Sequence, residues 1–274
     1  MADCDHDCES CGIEDCGDEA KNFNIFRAYL NKESSVKKVI GVVSGKGGVG
    51  KSLVTSLLAV EASRLGKKTA ILDADITGPS IPKAFGINEK VVPQGEYLVP
   101  CKSEGGIDIM SLNLALDNES DPVIWRGPMI ASVVKQFWTD TIWDREDVMF
   151  VDMPPGTGDV TLTVFQSLPL AGLVVVTTPQ DLVGMIVEKA MKMANLMDIP
   201  VLGLVENMSY ICCPTCGEVL RPFGESKVDA LAKKYGVKLT AQMPIDQKLT
   251  EAVDSGEIEK TAENPLGDFA AKLL

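Results

Sequence analysis

One octapeptide constrains this chain more than any other stretch: Gly45-Lys46-Gly47-Gly48-Val49-Gly50-Lys51-Ser52, spaced as G-x-x-x-x-G-K-[ST]. Glycines at 47, 48 and 50 permit a tight turn whose backbone N–H groups converge on phosphate oxygens. Lys51 can then reach the β- and γ-phosphates, and the Ser52 hydroxyl can ligate magnesium. The flanks decide between this reading and a glycine-rich turn that merely joins two elements. Val39-Ile40-Gly41-Val42-Val43 is a continuous apolar run that fits a buried parallel strand. Residues 52–62 carry apolar side chains at helical spacing. Strand, loop, helix is the order in which a helix N-terminus faces phosphate, so a functional nucleotide site is expected.

From Val36 onward strand and helix patterns alternate, which predicts an α/β fold: a doubly wound, mostly parallel sheet with helices on both faces. Strands are predicted at 38–43, 68–73, 147–152, 171–177, 201–206 and 238–242. Helices are predicted at 51–65, 128–143, 181–197, 226–235, 246–254 and 266–273. Tyr97–Cys101 and Ile107–Leu112 flank Gly105-Gly106 as a hairpin or as edge strands. Residues 1–22 lack hydrophobic periodicity and read as a flexible, acidic, cysteine-rich appendage. Residues 36–274 read as a single domain.

Carboxylates at strand ends extend the nucleotide site. Asp73 and Asp75 stand at i and i+2 after the second predicted strand, so they point the same way if the strand continues. They leave its carboxyl end, where open α/β sheets bind ligands. Asp73 can hold a magnesium-bound water and Asp75 can orient the attacking water; the plainer reading is an Asp capping the turn at Gly78-Pro79. Asp152 ends an apolar run, a Walker B pattern that sets a carboxylate near magnesium. The following Pro154-Pro155-Gly156 can switch between defined arrangements, or form a rigid connector with Asp159 as a helix N-cap. Asn207 ends another strand; its amide can pair with the N6/N7 edge of adenine or simply form a turn. Pro244, after the last strand, is placed to pack on purine or ribose.

The eight cysteines do not read as a disulfide scaffold in a reducing compartment. Cys101 is isolated and reads as a buried small hydrophobe. Cys213-Pro214-Thr215-Cys216-Gly217 is a C-x-x-C knuckle, which points two thiolates at one metal. Two copies meeting at a two-fold axis would complete four thiolates, suited to zinc or a [4Fe–4S] cluster; a structural zinc or a redox dithiol is the alternative. Cys4, Cys8, Cys11 and Cys16 cluster in the tail with His6, the only histidine. They can wrap a second metal, or be incidental thiols of an acidic tail.

A formal net charge of −13 opposes a nucleic-acid platform, which needs clustered Lys and Arg. No apolar run reaches membrane-spanning length. The acidic N-terminus is not a signal peptide. A cytoplasmic protein is expected, with neither nucleic acid nor membrane as partner.

The loop resembles the deviant Walker A class, in which the lysine after the first glycine, here Lys46, crosses a dimer interface to the partner's nucleotide. Six segments together are similar to the Mrp/ApbC/Nbp family of P-loop iron–sulfur cluster carriers: Gly45–Ser52, Asp73–Ser80, Trp125–Met129, Asp152–Asp159, Glu206–Ser209 and Cys213–Cys216. The resemblance covers about Val36 to Leu274. It implies a MinD/Mrp-like P-loop fold and an ATP-binding homodimer. It also implies a labile [4Fe–4S] cluster bridged by Cys213 and Cys216 of each subunit, slow ATP hydrolysis and cluster transfer to apoproteins. The tail departs from the family's N-terminal four-cysteine motif, whose spacing is wider. Competing readings are a positioning ATPase like MinD or ParA, and a zinc or nickel metallochaperone. Neither positioning class accounts for the C-x-x-C pair, and a single histidine disfavours nickel.

Overall fold

Apolar residues fill both faces of the central strands, as a parallel sheet covered on two sides demands. The computed structural model describes residues 27–75, 80–115, 127–156, 158–180 and 183–274. β1 (Val39–Ser44) passes through the glycine loop into α1 (Lys51–Arg64) and returns as β2 (Thr69–Asp73). There follow α2 (Ile81–Ala84), the hairpin β3 (Val92–Gln94) and β4 (Tyr97–Val99), β5 (Cys101–Lys102), β6 (Asp108–Ser111) and α3 (Leu112–Ala115). Next come α4 (Gly127–Thr139), β7 (Val148–Asp152), α5 (Asp159–Ser167), β8 (Leu170–Thr177) and α6 (Val183–Leu196). The chain continues through β9 (Val201–Cys212), β10 (Val219–Leu220), α7 (Val228–Tyr235), β11 (Leu239–Pro244), α8 (Gln247–Ser255) and α9 (Gly267–Leu273).

The sheet order is β10-β9-β8-β1-β7-β2-β6-β5, with β11 also on β9. Within this sheet, among the described residues, only the β5–β6 and β9–β10 pairings are antiparallel. β1 therefore lies between strands that extend the sheet in opposite directions, and the crevice at its carboxyl end is the switch point where such sheets take ligands. Alternation splits the core. Val39, Val43, Leu72, Met149 and Val151 face side chains of α4–α7. Ile40, Val42, Ile71 and Phe150 face those of α1, α8 and α9. Cutting the wholly buried Phe150 to alanine should cost about 3–5 kcal/mol.

The short α2, α3, β3 and β10 were not predicted, and three longer elements differ from the sequence reading. The helix predicted to run to 143 stops at Thr139, because the next residues are pinned elsewhere: Thr141 bridges Leu98 and Trp143 is fully buried. α5 was not among the predicted helices; its segment is rich in β-branched residues, which mask helical tendency. It starts at Asp159 with Gly158 as N-cap, one residue from the capping role expected of Asp159. The strand predicted to end at 206 runs on to Cys212, and this matters most for function.

Candidate nucleotide and metal sites

Backbone geometry shapes the phosphate loop. Gly48 (φ 80°) and Gly50 (φ 82°) are left-handed, a region glycine enters without steric penalty. Gly50 has a second reason to be glycine: a Cβ there would stand 2.2 Å from Asn207 Nδ2. A Cβ at Gly47 or Gly48 would meet nothing within 4 Å, so the loop's inner surface is open. Val49 is buried and anchors the loop from below. Gly50 is the N-cap of the 14-residue α1, whose first turn carries no acidic side chain. Its amides and dipole therefore face the loop with no acidic side chain in the helix's own first turn to oppose them. A cavity of about 420 Å³ lies here, lined by Gly47, Gly48, Lys51, Ser52, Asp75 and Pro155 among others.

Strand register supplies the carboxylates. Asp73 on β2 stands opposite both Ser111 on β6 and Asp152 on β7, so three strand ends deliver one polar row. Asp152 is fully buried. It accepts from Ser52 Oγ at 2.5 Å and Thr55 Oγ1 at 2.7 Å, and pairs with Lys51 Nζ at 2.7 Å. Lys51 Nζ is also 3.3 Å from Asp75. Asp73 accepts from Ser111 Oγ at 2.9 Å and the Asp75 amide at 3.1 Å. Burial first, and then the charge of Asp152, raise the Asp73 carboxyl well above its usual range; the Ser111 hydrogen bond and Lys51 oppose them. Among the described residues Asp75 and Asp152 share the Lys51 ammonium and Asp73 stands opposite Asp152, an acidic cluster that a divalent cation would suit. Mg²⁺ fits this donor set, since it is commonly held by one or two carboxylates together with substrate phosphates. Thr55 and Ser111 were missing from the sequence reading. Thr55 sits one helical turn beyond Ser52, a signal that spacing alone could have supplied; Ser111 depends on register between strands far apart in sequence.

Asn207 is 3% exposed. Its Nδ2 donates to Val49 O at 3.0 Å, and its Oδ1 accepts from the Met208 amide at 2.8 Å. The side chain thus ties β9 to the phosphate loop; one N–H and one oxygen lone pair remain for a further partner. Six residues on, the same strand delivers the cysteines. Cys212 pairs with Val219 across the β9–β10 hairpin, the Cys213 amide donates to Glu218 O, and Gly217 N donates to Cys213 O. Backbone N–H groups of Cys216 and Thr215 donate toward the Cys213 sulfur and, with the Cys216 side chain, hold its thiol below the usual cysteine range. A sulfur kept toward thiolate by backbone amides is what a metal ligand requires. Cys213 is half-buried, while Cys212 and Cys216 are exposed. Among the described residues no group of three or more His, Cys, Asp or Glu could hold a metal ion; Cys213 and Cys216 offer two free thiols at one turn.

The structure thus brings Lys51, Ser52, Asp73, Asp75, Asp152 and Asn207 together and sets the cysteine turn apart, with Cys213 six residues from Asn207 and so at most about 20 Å away at roughly 3.3 Å per residue, and Cys216 in the turn beyond it. Lys46 is exposed on the loop. Pro244 lines a separate cavity of about 870 Å³ with Tyr210, Cys212, Pro214 and Gln247 among others. Cys101 is buried, as expected. Cys4, His6, Cys8, Cys11, Cys16, Gly78-Pro79, Trp125 and Arg126 lie outside the described residues.

A glycine loop at the switch point of a parallel sheet, with carboxylates on adjoining strand ends, defines a P-loop NTPase. The chain belongs to the ParA-type family described as the NUBPL iron-transfer P-loop NTPases, whose family model matches residues 35–273. It is 46% identical over 273 residues to an iron-sulfur cluster carrier protein of Clostridium perfringens, covering 94% of this chain and 96% of that one. It is 40% identical over 260 residues to the protein of the same name in Methanocaldococcus jannaschii, covering 93% and 90%. Among solved structures it resembles the nucleotide-binding protein of Archaeoglobus fulgidus in complex with ADP, with a TM-score of 0.77 and 42% identity over 84% of this chain and 91% of that one. The MinC:MinD complex of Aquifex aeolicus shares the fold, with a TM-score of 0.62 at 20% identity over 86% and 95%.

Proposed function

We propose that this protein is an ATP-dependent carrier that holds a [4Fe–4S] cluster between two copies of itself and passes it to apoproteins. The observation that carries this reading is the continuity of β9: Asn207, within it, holds the phosphate loop, and Cys213 follows its last residue. The names of the curated relatives support the cargo.

In this reading the backbone of Gly45–Gly50, Lys51 and Ser52 hold the ATP phosphates. Ser52 and Asp152 would hold Mg²⁺, with Asp73 beside them; the ion would supply neutralisation of the charge that develops on the phosphates. Asp75 orients a water whose oxygen bonds to the γ-phosphorus as the bond to the β–γ bridging oxygen breaks, giving ADP and inorganic phosphate. Lys51 leaves its carboxylate partners for the phosphates, and Lys46 reaches the partner copy's nucleotide. Asn207 and Pro244 border the base. Cys213 and Cys216 of each copy together make the four-thiolate cage, and nucleotide shifts the cage only through its different affinity for two dimer arrangements.

The protein is proposed to work in the cytoplasm, consistent with its thiol content. Among the described residues no helix is long and apolar enough to cross a membrane. Residues 1–22 are proposed as an appendage to a domain spanning 36–274, its four cysteines holding a second metal. α9 buries Phe269, Ala270 and Leu273 in the core, which disfavours a membrane-docking helix of the MinD kind.

Anaerobic reconstitution with iron and sulfide tests the cargo. The expected product is brown, with broad visible absorption that passes from the carrier to an apo-[4Fe–4S] enzyme, read after the two are separated, as that enzyme regains activity. A colourless protein that keeps stoichiometric zinc under the same treatment would replace the iron–sulfur reading with the zinc one.

A further inference from the structure

We infer that the Asn207–Ser209 bulge of β9, clasped by Glu206 and Ser209, is the element that transmits nucleotide occupancy from the phosphate loop to the cysteine hairpin. The inference rests on the proposal that the two sites act in one cycle; it names the device that joins them.

Up to Glu206, β9 is locked on both edges: Val205 and Glu206 pair with Val176 and Thr177 of β8 and with Ala241 and Gln242 of β11. The register then breaks. Gln242 stands opposite Glu206, yet Pro244 stands opposite Tyr210, so Asn207, Met208 and Ser209 face a single residue, Met243. Bulges of this kind redirect a side chain and interrupt pairing. Met208 at the centre has φ 57°, a left-handed conformation that a long side chain seldom adopts and that surrounding contacts must enforce. Those contacts are on both flanks. Asn207 Oδ1 accepts the Met208 amide. The Ser209 hydroxyl lies 2.8 Å from Glu206 Oε1 and 2.9 Å from Glu206 O, closing the bulge with two groups that are fully buried. Glu206 Oε2 also faces the Lys227 amide at 3.4 Å, at the start of α7.

The bulge therefore has a fixed side and a movable side. Upstream strands hold Glu206 in place. Downstream, Tyr210 keeps Pro244 and the Ile245 amide as its partners, and the chain then leaves for the hairpin. The hairpin borders the cavity of about 870 Å³ beside Cys212 and Pro214, which gives it room to move. A shift of the Val49 carbonyl on phosphate binding pulls Asn207 Nδ2, and the strained residue behind it converts that pull into a reorientation of Tyr210–Cys213. Glu206 and Ser209 are positioning residues in this scheme; they touch neither nucleotide nor metal.

The test uses the full chain with its thiols free of metal. Alkylation rates of Cys213 and Cys216 by iodoacetamide are read peptide by peptide, with and without a magnesium–ATP analogue that is not hydrolysed. In the wild type the nucleotide should change these rates by about fivefold or more, the lower range of allosteric coupling. In Ser209→Ala the ratio should fall toward one while nucleotide affinity, titrated separately, stays at the wild-type value. Ser209→Thr, which keeps the hydroxyl, should restore the ratio. Met208→Gly, which releases the strain without removing a side-chain bond, should also lower it and stands in if Ser209→Ala does not fold. Wild-type ratios in both Ser209→Ala and Met208→Gly would overturn the role of the bulge while leaving the coupled cycle standing. A wild-type ratio of one would refute the coupled cycle itself.

Discussion

The phosphate loop, braced by Asn207 of β9, and the cysteine hairpin, which continues that strand, are built in opposite ways. Around Lys51 the partners are buried and already in place: Asp152 takes three donors within 2.7 Å, and Asn207 braces the loop from beneath. Around Cys213 and Cys216 the chain is a short turn on a two-residue ladder, with Val219 and Leu220 exposed beside it at 49% each. The first site has its loop, hydroxyls and carboxylates in place before any ligand arrives, with Lys51 paired to Asp152, which suits phosphoryl transfer, since its catalysis is positioning and electrostatics. The second presents two thiols, Cys213 and Cys216, and leaves apolar surface uncovered. In the proposed cycle a site that must release its cargo gains from such incompleteness, because each ligand lost with the partner weakens retention.

Substitutions can break this contrast. The largest effect is expected from Lys51→Ala. ATP hydrolysis should fall by about 10²–10³, the range for removing one charge-stabilising donor. The fold should lose about 3–5 kcal/mol, because Asp152 is left buried without its cation. Iron loading at the hairpin, measured chemically, should persist. Cys213→Ala should do the reverse. Metal bound at the hairpin should vanish while ATP titration is unchanged and stability moves by no more than about 0.5 kcal/mol, as for other surface changes.

Gly50→Ala sharpens the contrast at the brace. The left-handed φ and the 2.2 Å approach of Asn207 should cost more than about 1 kcal/mol and weaken ATP binding in calorimetry. If binding and melting are both normal, the loop is softer than its packing implies.

The smallest effect is expected at the opposite end of the sheet and serves as a control. Glu146, fully buried just before β7, sits beside Asp108 and 3.8 Å from Lys68. Burial first, then the Asp108 charge and hydrogen bond, push its carboxyl up to about 8 against the pull of Lys68 and Lys102. A carboxyl raised in the folded state favours folding when protonated. Its contribution is full below the unfolded pKa of about 4.3 and is lost as pH rises through about 8. Glu146→Gln should therefore flatten the decline of melting temperature across that window and raise it at pH 9 by about 2–4 °C, equivalent to roughly 1 kcal/mol. ATP binding and hairpin loading should not change.

Sequence made parts of this legible for a physical reason. A phosphate loop demands glycine at fixed offsets, so Gly45–Ser52 announces itself. An apolar run that ends in Asp places Asp152 without knowledge of any partner strand. Ser111 was hidden because its role depends on β6 lying beside β2, a pairing set by the whole fold. β9 was cut short because Asn207 is a turn former and the next residue does take a left-handed conformation; the ladder resumes only because Tyr210 finds Pro244. α5 was hidden by its β-branched residues. The C-x-x-C pair could be read as a metal knuckle, yet its connection to the phosphate loop is visible only in the fold, where β9 carries Asn207 against the loop and ends just before Cys213.

The most direct test of the account is the mass and iron content of the protein after anaerobic reconstitution, with Cys4, Cys8, Cys11 and Cys16 all changed to serine. A two-chain species holding about four irons and four sulfides per pair, which falls apart when Cys216→Ala is added, is the predicted result. A single chain that retains its iron and sulfide would contradict it.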